Sequence, residues 1–323
     1  MMQQRLLPAA LVLAGIWLVY GCSGGETGAM GTTGSAGTSG TAGTTGSAGA
    51  AGTTGAAGRG GTGGTTGVGG RGGTTGTGAT TGTGGAPATS SLCTWPTATS
   101  TLMLMSTQAI SGTYDGGMRR FVGAGPLGTR GQAENQDPLL KIANGATLQN
   151  LIIGSPAADG IHCDGTCTLK NVWWEDVGED AATLEGTEAS QVMTIDGGGA
   201  RSASDKVFQH NGPGTMIIKN FCVQDFGKLY RSCGNCTMQY ARHVQLQNVM
   251  VVPSSSSSAL VGVNTNYNDT ATFKSILVKA ATNSLTICQR YTGNNTGAEP
   301  PKNGSGADGT VCMYAASDIS WMP

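Results

Sequence analysis

The pattern of apolar and polar positions in the second part of the chain is a recurring short strand. Five apolar runs carry a polar residue at a matching point, and they are TLQNLII (147–153), TLKNVWW (168–174), IIKNFCV (217–223), VQLQNVMVV (244–252) and TFKSILV (272–278). The matching residues are Asn150, Asn171, Asn220, Asn248 and Ser275. Their spacings are 21, 49, 28 and 27 residues, and VMTIDGG (192–198) supplies the strand missing from the double step. Such a period, with turns rich in glycine, aspartate and asparagine, predicts an all-β parallel β-helix. A β-sandwich with fortuitous spacing is the alternative.

The repeated asparagines are expected to stack inside the solenoid, each amide bonding the backbone of the next coil. In TLKNVWW, Trp173 and Trp174 are expected on opposite faces of one strand, with one ring in the core and the other free to stack on a sugar.

Charged residues follow the same period. Four of them are separated by 21, 26 and 22 residues and are expected to form one column, namely Asp159, Asp180, Lys206 and Lys228. Strands in adjacent coils lie about 4.8 Å apart, so these side chains become neighbours. Asp176 and Glu179 precede Asp180 closely, and Arg231 follows Lys228 by three residues. The sequence therefore predicts an acidic cluster beside a row of bases.

The acidic end of this column suits a hard cation. Carboxylates on adjacent coils provide the oxygen ligands that Ca²⁺ prefers, and without an ion they would raise one another's pKa. The predicted metal ligands are Asp159, Asp176, Glu179 and Asp180. A solvated acidic turn is the alternative, and a transition-metal site at His162, Cys163 and Cys167 is disfavoured because export would oxidise those thiols.

Composition divides the 323 residues into three parts. Residues 1–22 hold one early arginine and an apolar run ending in LVYGC, which predicts an export signal with a lipid-accepting Cys22. An ordinary secretory signal is the alternative. Residues 23–90 are almost wholly Gly, Thr, Ala and Ser, which predicts a disordered Gly/Thr-rich linker. Residues 91–323 form the expected β-helix domain. We expect a secreted protein held at the bacterial cell surface or outer membrane by its lipid.

The eight cysteines of the domain are an even set, which favours disulfides in an exported chain. The expected local pairs are Cys163–Cys167 and Cys288–Cys312. Cys233-Gly-Asn-Cys236 is expected to be a structural disulfide, since no thioredoxin-like context supports redox chemistry. The formal net charge of −1 lacks the basic stripe of a nucleic-acid-binding protein.

Calcium beside basic side chains suits a polyanionic sugar. Metal and cations would acidify the proton α to a uronate carboxylate, so that a base removes it and the 4-O-glycosidic bond leaves by β-elimination. The base must be neutral when it acts. Lysine approaches that state through neighbouring positive charge, whereas arginine is very hard to deprotonate. This reasoning favours Lys206 as base, with Arg231 neutralising the uronate.

Several segments closely resemble the polysaccharide lyase family 3 pectate lyases. They are AENQDPLL, GATLQNLIIGSPAADGIHCDGTCTLKNVWWEDVGEDAATLEG, DKVFQHNGPGTMIIKNF, DFGKLYRSCGNC and GVNTNYNDTATF. The resemblance implies a right-handed β-helix and calcium-dependent eliminative cleavage of polygalacturonate. It implies calcium ligands at Asp159, Glu179 and Asp180 with Asp176 adjacent, catalytic or substrate-binding bases at Lys206, Lys228 and Arg231, and an acid of the cleft at Glu134. Glu185 departs from the family pattern, in which lysine is expected.

Two other functions fit a tethered β-helix. A polygalacturonase would use paired carboxylates and water, but would leave the coil-spaced lysines without a role. A surface binder would hold pectin without cutting it. In each case we expect a monomer whose partner is polygalacturonate or pectin, and whose only membrane contact is the N-terminal lipid.

Overall fold

A computed structural model of the protein describes residues 91–323. The predicted leader and linker, residues 1–90, lie outside the described residues. The strands are β1 (Thr101–Leu104), β2 (Gln108–Ile110), β3 (Thr113–Gly123), β4 (Leu140–Ile142), β5 (Ala146–Ile153), β6 (Ile161–Cys163), β7 (Cys167–Trp174), β8 (Ala182–Leu184), β9 (Val192–His210), β10 (Gly214–Ser232), β11 (Arg242–Val252), β12 (Ala259–Asn264), β13 (Thr270–Val278), β14 (Thr286–Tyr291), β15 (Lys302–Ser305), β16 (Cys312–Met313) and β17 (Ile319–Trp321). Single 3₁₀ turns cover Gly125–Leu127, Thr265–Tyr267 and Ala316–Asp318.

The strands stack in parallel columns, as the sequence period predicts. One column runs from β1 through β3, β5, β7, β9, β10 and β11 to β13. A second column contains β2, β4, β6 and β8 and continues through the later parts of β9 and β10 into β12 and β14. Only β14 and β15 pair antiparallel among the described strands. The predicted parallel β-helix is confirmed.

The repeated asparagines mark a corner of each coil. Asn150, Asn171, Asn220 and Asn248 all have φ near +54°, from 53° to 55°, in the left-handed region that asparagine tolerates better than most residues. Their amides form a ladder of side chains, because Asn171 Nδ2 donates to Asn150 Oδ1 at 3.0 Å and Asn248 Nδ2 donates to Asn220 Oδ1 at 2.8 Å. The expectation of bonds to the neighbouring backbone was therefore wrong. An amide both donates and accepts, so matched amides satisfy one another from coil to coil.

Aromatic residues divide between the core and an outer face. Trp174 is fully buried, and its ring packs 5.8 Å from Phe208. Trp173 is only 7% exposed because Trp95 packs against it at 5.1 Å between ring centroids. The residues before β1 are stapled to β10 by Cys93–Cys222. Trp173 is therefore covered by protein, and the expectation of a ring free to stack on sugar was wrong.

The local disulfides agree with the sequence predictions. Cys163–Cys167, Cys233–Cys236 and Cys288–Cys312 are all bonded. Residues 91–323 include no helix long and apolar enough to cross a membrane.

Candidate active site

The charged column lies two residues before a row of paired positions in the second sheet column. Ile161, Ala182, Phe208 and Tyr230 are register partners from coil to coil, and the residue two positions before each is Asp159, Asp180, Lys206 and Lys228. The predicted alignment is therefore confirmed.

Glycine lets the acidic turns approach closely. A Cβ on Gly178 would lie 2.1 Å from the Ala158 carbonyl oxygen, and a Cβ on Gly160 would lie 2.3 Å from that of Asp180. Any larger residue at either position would push apart the two coils that carry the carboxylates. Close coil contact is thus a local consequence of the Gly residues flanking Asp159 and Glu179.

Three carboxylates meet at this point. One oxygen from each of Asp159, Glu179 and Asp180 lies within 4.8 Å of the others, and the residues are 6%, 3% and 2% exposed. Oδ1 of Asp159 and Oδ1 of Asp180 are buried without a hydrogen-bond partner. Such unsatisfied buried oxygens are costly unless a cation binds them, so the donor set fits a hard divalent ion. Asp176 is half-buried in the preceding turn and lies outside this group of three.

The protonation of this group reflects its burial. Burial raises the pKa of Glu179 to about 7, with Asp159 and Glu134 adding to the effect and Lys206 opposing it. Burial also raises the pKa of Asp180 well above its ordinary value, again against the influence of Lys206. Glu179 and Asp180 therefore hold protons at pH values where exposed carboxylates have lost them.

His162 links the carboxylate group to Glu185. Its Nε2 lies 2.9 Å from Asp159 Oδ2 and its Nδ1 lies 3.3 Å from Glu185 Oε2. Burial lowers the pKa of His162, but the hydrogen bonds to the two carboxylates outweigh burial and raise it to about 10. A charged imidazole thus engages Oδ2 of Asp159 and leaves Oδ1 for another ligand. His210, by contrast, is fully buried beside the Tyr230 hydroxyl at 2.8 Å, in agreement with a structural role.

Lys206 lies among acids. Its Nζ is 2.9 Å from Asp205, 3.3 Å from Glu179, 3.7 Å from Asp180 and 3.9 Å from the exposed Glu134. Burial alone would lower the pKa of Lys206, but the carboxylates, Asp180 foremost, outweigh burial and raise it. From the sequence, cationic neighbours were expected to ease the deprotonation of Lys206. The structure instead places Nζ in a negative environment that holds its proton.

Lys228 and Arg231 complete the basic row. Lys228 Nζ shares Asp205 with Lys206, at 3.4 Å from Oδ1. Arg231 donates from Nη1 to Asn264 Oδ1 at 3.0 Å, and its guanidinium carbon lies 4.0 Å from the Tyr291 ring centroid. No carboxylate of residues 91–323 forms an ion pair with it. Burial lowers the pKa of Arg231. Its charge is held in place but not neutralised, as a group that receives an anion requires.

Comparison with known proteins identifies the family of this chain. The family model described as pectate lyase matches residues 92–297. The chain belongs to the pectate lyase family. Pectate lyase E of Emericella nidulans is 46% identical over 222 residues, covering 68% of this chain and 84% of that protein. Pectate lyase H of the same organism is 47% identical over 204 residues, covering 62% and 75%.

Solved structures of pectate lyases share the fold. The catalytic domain of pectate lyase PelI from Erwinia chrysanthemi superposes with a TM-score of 0.58 at 33% identity, covering 70% of this chain and 98% of that one. PelI in complex with tetragalacturonic acid gives a TM-score of 0.58 at 34% identity, covering 68% and 70%.

Sequence reasoning missed several residues of this pectate lyase's cleft. Asp205, which bridges Lys206 and Lys228, directly precedes Lys206 in the sequence. The coil spacing that placed Lys206 could therefore have placed Asp205 as well. Tyr291 is the register partner of Asn264 one coil later. The repeated strand motif ends at residue 278, so the sequence period could not show this pairing. Glu299 and Pro300 also line the cleft, although they lie beyond the matched residues. No period in the sequence could have placed them there.

Proposed function

We propose that this protein is a calcium-dependent pectate lyase of polysaccharide lyase family 3 that cleaves polygalacturonate by β-elimination. The observation that carries this proposal is a group of three buried carboxylates, with two unsatisfied oxygens, immediately beside a row of three bases. Membership of the pectate lyase family and the motif resemblance support the same conclusion.

The residues that would hold the ion are Asp159, Glu179 and Asp180. Bound there, Ca²⁺ would bind a uronate carboxylate, stabilise enolate-like charge and compensate the carboxylates that raise the pKa of Lys206. Asp176, outside the group of three, is retained as an outer member of the site on the basis of its position in the sequence.

The remaining roles follow from the geometry of the bases. Arg231, fixed by Asn264 and Tyr291, pairs with the uronate carboxylate and acidifies the proton at C5. Lys206 takes that proton; the electron pair of the C5–H bond forms the C4–C5 double bond, and the C4–O bond breaks. The leaving oxygen is protonated by solvent. Lys228 binds substrate beside the base, and Glu134 lies on the exposed rim of the cleft.

The experiment that tests this function measures ultraviolet absorbance and reducing ends during incubation of polygalacturonate with purified protein, with calcium or with EDTA. We expect an unsaturated-uronate band that grows with calcium and stops with EDTA. Reducing ends without the band would mean hydrolysis. Affinity for the polymer with no product would mean a pectin binder.

Export and anchoring are proposed on the sequence of residues 1–22 alone. We infer that Cys22 is lipidated and that the protein reaches the cell surface or outer membrane as a monomer. Cys22→Ser should release active protein from washed membranes into the soluble fraction of the cell envelope or medium. Retention in the membrane fraction would contradict a lipid anchor.

A further inference from the structure

The cleft that contains Lys206, Lys228 and Arg231 is adjoined by further concave surface. A second concave region, lined in part by Glu185, Met238 and Tyr240, adjoins it. Asn211 and Cys236 line both regions, so the two adjoin at these residues, and we call them together the groove. We call the second region the extension. A polymer bound at Lys206 and Arg231 can continue into it without leaving the protein surface.

The two parts of the groove differ in charge. The cleft carries Lys206, Lys228 and Arg231, whereas none of the described residues that line the extension is cationic. Its charged group is the carboxylate of Glu185, whose side chain is 36% exposed. A uronate carboxylate placed beside Glu185 meets a like charge.

Nearby positive groups are engaged elsewhere. Arg242 lies behind the Tyr240 ring but is fully buried, and its guanidinium donates to the carbonyl oxygens of Asn211 and Cys233. His162 is shared between Glu185 and Asp159, so one imidazolium serves two carboxylates. Neither group is placed to receive a substrate carboxylate in the extension.

The extension also offers apolar surface. Met238 is 63% exposed, so its thioether and methyl group are accessible to a ligand in the extension. Tyr240 is half-buried beside it. A polarisable thioether and an aromatic ring favour contact with a sugar face and with a methyl group over contact with a carboxylate.

We propose that the extension is a subsite for an uncharged, methyl-esterified galacturonate, so that the enzyme acts best where a free uronate at the bases neighbours an esterified one. This proposal rests on the proposed lyase function. Glu185 disfavours the free acid there, while Met238 and Tyr240 contact the ester. Partly methyl-esterified pectin is therefore the preferred substrate, and fully de-esterified polygalacturonate is cleaved less efficiently.

The test compares kcat/KM on a partly methyl-esterified pectin with that on the same pectin after saponification, which keeps the source polymer the same. Product is measured as unsaturated uronate at saturating calcium. Wild type should favour the esterified polymer. Met238→Lys, which adds a cation without touching His162, and Glu185→Gln, which removes the charge but keeps an acceptor for His162, should each shift the ratio toward the saponified polymer by roughly three- to tenfold. Met103→Lys is the matched control, because Met103 is 65% exposed in β1 and lines neither part of the groove.

The outcomes separate the two proposals. If wild type makes unsaturated product from both polymers but the ratio is the same in wild type, Met238→Lys and Glu185→Gln, the subsite is wrong and the lyase stands. If neither polymer yields unsaturated product, the lyase function fails and the subsite fails with it. Calcium affinity of Glu185→Gln, measured by titration calorimetry, should match wild type; a loss there with an unchanged Met238→Lys ratio would assign Glu185 to the metal site instead and overturn the subsite.

Discussion

The buried carboxylate group should make the stabilising effect of calcium depend strongly on pH. The perturbation is the exchange of EDTA for calcium at two pH values. Burial raises the pKa of Glu179 from 4.5 to about 7 and raises that of Asp180 in the same direction. Both side chains are almost inaccessible to solvent, at 4% and 3% exposure, so screening by water reduces the effect little.

The sign follows from the raised pKa. A carboxyl group whose pKa is higher in the folded state stabilises the fold fully at pH values below its pKa in the unfolded state. This stabilisation is lost as the pH rises through its pKa in the folded state. For Glu179 the window runs from 4.5 to about 7, and this displacement corresponds to about 3 kcal/mol. Above about pH 7 the metal-free protein therefore carries close carboxylates that Lys206 compensates only in part, and a cation that binds them relieves the remaining cost of their charge.

The assay is thermal unfolding followed by circular dichroism at about pH 5 and about pH 8, with calcium and with EDTA. A gain of about 3 kcal/mol should raise Tm by roughly 6–12 °C in a domain of this size at the higher pH, and by little at the lower pH, where protons occupy Glu179 and Asp180. Comparison at each pH cancels the titration of groups that lie away from the three carboxylates and their direct partners. An equal rise in Tm at both pH values, or none at the higher one, would refute the reasoning.

Three further predictions concern single residues. Lys206→Ala should lower turnover by at least about a hundredfold while circular dichroism and calcium binding persist, and wild-type turnover would remove Lys206 as the base. Asp180→Asn should weaken calcium binding in titration calorimetry by at least about tenfold, whereas Asp176→Asn, outside the group of three, should weaken it less; the reverse order would contradict the assigned ligands. Asn220→Ala, which puts alanine at φ 55° and removes ladder bonds to Asp196 and Asn248, should reduce the free energy of unfolding in urea by about 2–3 kcal/mol. Asn220→Gly, which avoids the backbone strain, should lose less, and equal losses would count against a strained corner.

Periodic features of this protein could be predicted from its sequence. In a stacked solenoid a fixed number of residues returns the chain to the same face, so separation along the sequence becomes adjacency in space. That rule placed Asp159, Asp180, Lys206 and Lys228 in one column and identified the corner asparagines. Closeness in the sequence, rather than the period, favoured the disulfide Cys163–Cys167, because four residues leave the partners within reach.

Other features depend on parts of the chain that no repeat connects. The bond Cys93–Cys222 spans 129 residues and brings Trp95 over Trp173, which removes a surface the strand pattern left open. The residues after β13 place the Tyr291 ring against Arg231 and bring Glu299 to the cleft. Asp205 adds a further carboxylate beside Lys206. The sequence by itself determined which side chains share a face, because backbone period decides this. Only the tertiary structure decided their burial and charged neighbours, and therefore their protonation, because desolvation and Coulomb interaction depend on distances that every coil and the tail set together.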